Sequence, residues 1–194
     1  MAEVVSLKNF PVIETKRLLL REMRAEDDQD LFHILANIDV VRYYDLPVLS
    51  IEQTQRTIAR HHARFTSNEA IRWGITLKQE HVLIGNCGYF WDKSNSYAVM
   101  SYVLDQPYWN KGVMTEALHA IIQFGFQYYS IYRYEAHVAR PNEGSSRVLK
   151  KLGFHEEGVL KQHFCENHRF HDEIIYVLSG ADWERMGNSI GMFS

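Results

Sequence analysis

Cysteine is scarce in this sequence. Only Cys87 and Cys165 occur in 194 residues. They form no Cys-x-x-Cys pair, and two are too few for a disulfide framework. An apolar run of membrane-spanning length is also missing. The opening "MAEVVSLKNF" lacks the basic segment and apolar run of a secretory signal. Together these predict a protein of the reduced cytoplasm with no membrane partner. Basic charge is not in excess either: 21 Lys and Arg stand against 24 Asp and Glu, for a net charge of −3 with ten neutral histidines. That excludes the basic footprint expected of a nucleic-acid binder. No repeat, low-complexity tract or Gly/Ser linker divides the chain.

What remains is ordinary globular material, 46% apolar and 23% charged. The length suits one domain able to bury a substantial core. The expectation is a single domain over 1–194, with a core from about 12 to 180 and a C-terminal appendage at 181–194.

Periodicity supplies the elements. "RLLLREM" (17–23) reads as a strand. "AEDDQDLFHILAN" puts Leu31, Phe32, Ile34 and Leu35 on one side of a helix. A second helix begins at Ser50, with Gln53 at capping-box spacing. "IRWGITLK", "VLIGNCGYFW" and "YAVMSYVL", separated by short turns, predict an antiparallel meander. "GVMTEALHAIIQFGFQYY" carries a wide apolar stripe through Val113, Ala117, Ile121, Gly125 and Tyr128, flanked by Leu118, Ile122 and Phe126. "YRYEAHVA" predicts a strand, "SSRVLKKLGF" a short helix ended by Gly153, and "EIIYVLS" a final strand, with room for one more beside it. The strand–helix–strand unit over 97–139 predicts a parallel strand pair. The fold class is α+β, or mixed α/β.

The stretch "PYWNKGVMTEAL" (107–118) holds the clearest chemical signal. A helix begins there without the Ser, Thr, Asp or Asn that normally caps it. Uncapped amides converge at a helix N-terminus, and the macrodipole favours an anion there. Gly112 removes the Cβ that would keep a phosphate away, and Lys111 adds positive charge. A plain glycine loop leading into a core helix would look the same over so short a stretch.

Longer stretches are more distinctive. "YWNKGVMTEAL" resembles the acyl-CoA pyrophosphate loop of the GNAT acetyltransferase superfamily. "ARPNEGSSRVLKKLGFHEEGVLK" resembles the Asn-x-x-Ser signature of its RimJ/RimL-like branch. "ETKRLLLREMRAED" and "FHDEIIYVL" resemble that branch's opening and closing elements, and the likeness runs in order over about 12–180. It implies a central twisted, mostly antiparallel sheet with one parallel pair, flanked by helices. Departures are Trp109, Asn110 and Met114 inside the loop, none of which removes a backbone amide. Val99 stands where many relatives carry a glutamate, and Phe164 where some carry an acidic residue, so the usual base is absent from both places.

The resemblance implies acetyl transfer from acetyl-CoA, as co-substrate, to an amine, with no metal. It places the pyrophosphate on Trp109, Asn110, Lys111, Gly112, Val113, Met114 and Thr115. The thioester carbonyl would meet a backbone N–H of Tyr102, Val103 or Leu104. Asn142 would lie along the pantetheine arm, and Ser145 would protonate the departing thiolate. Ser145 could instead simply cap its helix, and Asn142 could be only a turn residue. The acceptor is a protein N-terminal α-amine or a small-molecule amine. At pH 7 about one α-amine in ten is neutral, against about one lysine amine in 2,500, which suits an α-amine where the usual glutamate is missing. Glu22, Glu166, His163 and Tyr89 are candidate helpers, and residues 38–68 are expected to shape the acceptor pocket. A homodimer is left open. A non-catalytic acyl-CoA sensor of the same fold is the alternative function. The cluster His163, Cys165, His168, His171 and Asp172 matches no common zinc spacing.

Overall fold

The computed structural model describes residues 9–43, 50–92, 97–166 and 168–187. Strands β1 (Ile13–Glu14) and β2 (Leu18–Glu22) lead into a 3-10 turn and helix α1 (Asp28–Ala36), followed by α2 (Ile38–Val41) and α3 (Ile51–Thr66). The meander is β3 (Ala70–Leu77), β4 (Leu83–Asp92) and β5 (Tyr97–Leu104). Then come α4 (Val113–Tyr128), β6 (Arg133–Ala139), α5 (Glu143–Lys151), β7 (His155–Glu166), β8 (Arg169–Ser179) and α6 (Gly180–Gly187). The strands form one eight-stranded sheet in the order β1-β2-β3-β4-β5-β6-β8-β7. Only β5 and β6 pair in parallel; the other neighbours are antiparallel.

The buried α4 stripe is Val113, Met114, Ala117, Leu118, Ile121, Ile122 and Gly125. It packs on the sheet face that carries Leu18, Leu20, Trp73, Tyr89 and Tyr134. Gly125 has no side chain because a Cβ there would collide with the Tyr134 hydroxyl. The stripe departs from expectation at its end. Tyr128 is 44% exposed, while Tyr129, just past the helix, is buried against Trp91 at 4.7 Å between ring centroids. On the opposite face α1 and α3 cover Met23, Leu83 and Val103. Ser50 caps α3 by accepting from Gln53 N–H, as its spacing predicts.

Several features go beyond the sequence reading. Buried Arg21 grips Asp27 with two hydrogen bonds, at 2.7 and 2.8 Å, and anchors the turn before α1. β7 is a full 12-residue strand. It pairs with β8 through register shifts, the larger lying between Leu160 and Phe164. Asp172 clamps that bulge, accepting from Gln162 N–H at 3.2 Å and Lys161 at 2.8 Å. Residues 180–187, placed at the boundary of the expected appendage, form α6. Its Trp183 packs on His119 and Phe126 of α4. Among the described residues no helix is long and apolar enough to cross a membrane.

Candidate active site

The site follows from a break in the sheet. β5 and β6 run together only where 97–99 pair with 133–135. From Met100 onward β5 keeps β4 as its neighbour, while β6 keeps β8. The two strands part, and a cavity of about 730 Å³ opens between them. The edge of β5 facing this gap has no strand to receive its outward N–H and C=O groups. Residues Tyr102, Val103 and Leu104, predicted to face the thioester, all line it.

The loop after β5 is tied down from several sides. Asp105 N–H bonds back to Ile84 O at 2.9 Å, and the Trp109 indole donates to Leu104 O at 2.7 Å. Asn110 has φ +60° and Gly112 φ +72°. Asn tolerates that left-handed region better than most side chains, and Gly enters it freely. Gly112 is the N-cap of α4, and no side chain caps the helix. Val113 and Met114 send their side chains into the core, at 3% and 5% exposure, yet both line the cavity. Backbone is therefore what they can offer a phosphate. Arg17, which the sequence reading passed over, donates to Lys111 O at 2.9 Å and to Glu116 at 2.7 Å, pinning the loop to β2.

Of the twelve residues proposed from sequence, eleven line this one cavity: Tyr102, Val103, Leu104, Trp109, Asn110, Gly112, Val113, Met114, Thr115, Asn142 and Ser145. Lys111 does not. Its ammonium lies 5.9 Å from the centroid of the Tyr108 ring.

Asn142 and Ser145 divide their roles differently from the capping alternative. Asn142 is the N-cap of α5, and its side chain accepts from Ser145 N–H at 3.2 Å. Ser145 is therefore a residue of the first helical turn, and its hydroxyl is not the cap. The Tyr102 hydroxyl is buried beside it without a formed hydrogen bond. Burial holds that phenol above its ordinary pKa, against the opposing pull of the Ser145 side chain.

The cavity is electrically two-sided. Arg147 and Lys151 of α5 line it near the α4 and α5 termini. Asp39, His137 and Glu173 line the other side, with Arg42 and Tyr43. Arg42 is paired with Glu166 at 2.6 Å. Tyr43 rests on Phe164, 6.4 Å between centroids, and its hydroxyl reaches Pro141 O at 3.5 Å. Phe164 is thus a packed aromatic, 8% exposed. The expectation that residues 38–68 shape the second pocket holds for 39–43; residues 44–49 lie outside the described residues.

The candidate helpers are otherwise engaged. Glu22 meets His62 at 2.6 Å, and Tyr89 lies in the core. Glu166 contacts Arg42 and, at 3.3 Å, His171. His163 contacts Glu173 at 2.7 Å. The histidine-rich hairpin is spread among such ion pairs, and no cluster of three metal-ligating side chains forms among the described residues. Buried Cys87 is no nucleophile: desolvation pushes its thiol up to about 12.

Comparison with known proteins agrees with this geometry. The profile of the acetyltransferase (GNAT) domain matches residues 17–155. The chain is 34% identical over 171 residues to the uncharacterized N-acetyltransferase YoaA of Bacillus subtilis, covering 87% of this chain and 97% of that one. RimL, a ribosomal α-N-protein acetyltransferase solved with coenzyme A, superposes with a TM-score of 0.81 at 21% identity, covering 87% of this chain and 98% of that one. The self-immunity acetyltransferase MccE, solved with acetyl-CoA and AMP, gives 0.78 at 20% identity, covering 85% and 93%. The two solved structures show the fold; the profile and the YoaA likeness show the lineage. This chain belongs to the GNAT family of acetyltransferases, among relatives and structural neighbours named as ribosomal-protein N-acetyltransferases.

Proposed function

We propose that the protein transfers acetyl from acetyl-CoA directly to a primary amine, with a protein N-terminal α-amine or a small-molecule amine as acceptor. The supporting observation is the two-sided cavity at the β5/β6 split. One side offers the uncapped α4 terminus and the cations Arg147 and Lys151, which suit the phosphates of CoA. The other offers Asp39 and Glu173, which suit an amine arriving as ammonium. The gap between them exposes the backbone of 102–104 to the thioester carbonyl. One such donor is worth about 3 to 4 kcal/mol as negative charge develops in the transition state. Ser145 lies on the cofactor side, placed to give a proton to the departing thiolate. The protein works without a metal, and the cytoplasm is its compartment.

The test is acetyl-CoA turnover, followed by thiol release, across N-terminal peptide amides, polyamines and amino acids, before and after exhaustive chelation. We expect turnover with at least one class, undiminished by chelation. CoA binding with no turnover on any amine would favour the acyl-CoA sensor, and zinc whose removal abolishes turnover would reinstate the 163–172 cluster.

A further inference from the structure

An amine that attacks a thioester must give up a proton, and both positions where relatives carry an acidic residue are apolar here. The register shows what replaces them. Val99 of β5 lies opposite Glu135 of β6, so a carboxylate returns one strand away from the place it left. Glu135 is held by Arg133 at 2.5 Å. Two residues on is His137, on the same face by strand alternation. Its Nε2 lies 3.5 Å from Glu135 and its Nδ1 4.0 Å from Glu173. Neither separation has closed into a hydrogen bond. His137 and Glu173 both line the cavity, and Glu135 and Glu173 side chains are only 18% and 15% exposed.

We propose that His137 is the base that takes the proton of the acceptor amine, with Glu135 and Glu173 orienting the ring and stabilising its imidazolium. This rests on the acetyl-transfer reading above and adds the residue that reading lacks. The surrounding charges favour it from each neighbouring element. β6 brings Glu135, with Arg133 behind it already shared with Glu157 at 2.8 Å. β8 brings Glu173, and β7 brings His163, bonded to the same carboxylate. The α2 segment brings Asp39, and Arg42 neutralised by Glu166. In the reaction the amine nitrogen bonds to the carbonyl carbon and its proton passes to the imidazole nitrogen. The carbon–sulfur bond breaks with its electron pair on sulfur. Sulfur takes a proton from the cofactor side, and the imidazolium returns its own to solvent.

The experiment measures kcat/KM against pH for whichever amine of the panel turns over fastest, in wild type, His137→Gln and Glu173→Gln. Calorimetric CoA affinity and melting temperature are measured on the same preparations. His137→Gln should lower kcat/KM about 10²-fold at pH 7, remove the acid limb of the profile, and leave CoA affinity and melting unchanged. Glu173→Gln should lower it about tenfold and move the limb to lower pH, because the imidazolium loses a stabilising charge. Added imidazole should restore part of the rate to His137→Ala. A His137→Gln enzyme with the wild-type rate and profile overturns the assignment while leaving acetyl transfer standing. Wild-type protein that binds no CoA and releases no thiol overturns acetyl transfer, and the role of His137 with it.

Discussion

The two sides of the cavity are made of different material. The cofactor side is backbone: an uncapped helix start, two left-handed residues and a strand edge without a neighbour. The acceptor side is side chains brought from α2, β6 and β8, with β7 behind them. The difference follows from what each ligand asks for. A pyrophosphate is satisfied by converging N–H groups, which nearly any sequence supplies once the turn is right. An amine that must be held and deprotonated needs particular titratable groups, and those can be exchanged between strands. Loss of the carboxylate at 99 alongside Glu135 and His137 on the next strand is such an exchange.

The largest expected effect that sharpens this contrast is at Ser145, the one side chain asked to do chemistry on the cofactor side. Ser145→Ala should lower kcat and kcat/KM together by about 10²-fold, the low end for acid assistance, and spare CoA affinity. Because Asn142 is the cap, melting should barely move. A lower melting point with normal kcat would make Ser145 structural and leave the cofactor side wholly backbone.

Next is Gly112→Val. A Cβ there would meet only Arg17, at 3.6 Å, so collision is not the obstacle; φ +72° is. We expect CoA affinity to fall tenfold or more, about 1.4 kcal/mol, in a folded protein. Gly112→Asn should fall less, since Asn tolerates the left-handed region. Equal losses would mean that space, and not backbone conformation, sets the site. Lys111→Ala should cost less than Gly112→Val and fade with added salt.

Asn142 separates capping from cofactor contact. Asn142→Ala should cost about 1 kcal/mol of stability, whereas Asn142→Asp keeps a capping oxygen and should keep that stability. If Asn142→Asp still loses CoA affinity, the amide contacts the cofactor; if both properties survive, Asn142 is a cap alone.

The same contrast explains what could be read from the sequence. The cofactor side spans Tyr102 to Thr115, one continuous stretch whose missing cap, glycine and adjacent strand are all local signals. The meander, the α4 stripe and the parallel pair were legible for the same reason: each is a period or a spacing within one segment. The acceptor side has no such signature. Asp39, His137 and Glu173 are roughly a hundred residues apart at the extreme, and only the sheet order sets them together. The β7 bulge hid more. The shift between Leu160 and Phe164 breaks simple alternation, so strand periodicity could not reveal that Phe164 turns inward while His163 turns to Glu173. The capping exchange at α5 was missed because Asn142 follows a proline and read equally well as a turn.

The smallest expected effect lies at the support of the cofactor loop. Glu116 accepts from the Thr15 hydroxyl at 2.6 Å, the Arg17 N–H at 2.8 Å and the Arg17 guanidinium at 2.7 Å. Arg17 in turn holds Lys111 O. Partial burial raises the Glu116 pKa, but those hydrogen bonds and the Arg17 charge outweigh it, so it lies below the ordinary 4.5. A depressed carboxylate contributes its stability in full above the ordinary value and loses it as pH falls through the folded one. Glu116→Gln should therefore melt lower than wild type at pH 7, and the gap should narrow as pH drops below about 4.5. The pair is partly solvated, so the loss in CoA affinity should be only about two- to threefold, reached through a looser 111–112 turn. A gap that stays constant with pH would show that Glu116 acts by shape rather than charge. A CoA loss matching that of Gly112→Val would show that the backbone cradle depends on its side-chain support, and the division between the two sides of the cavity would no longer hold.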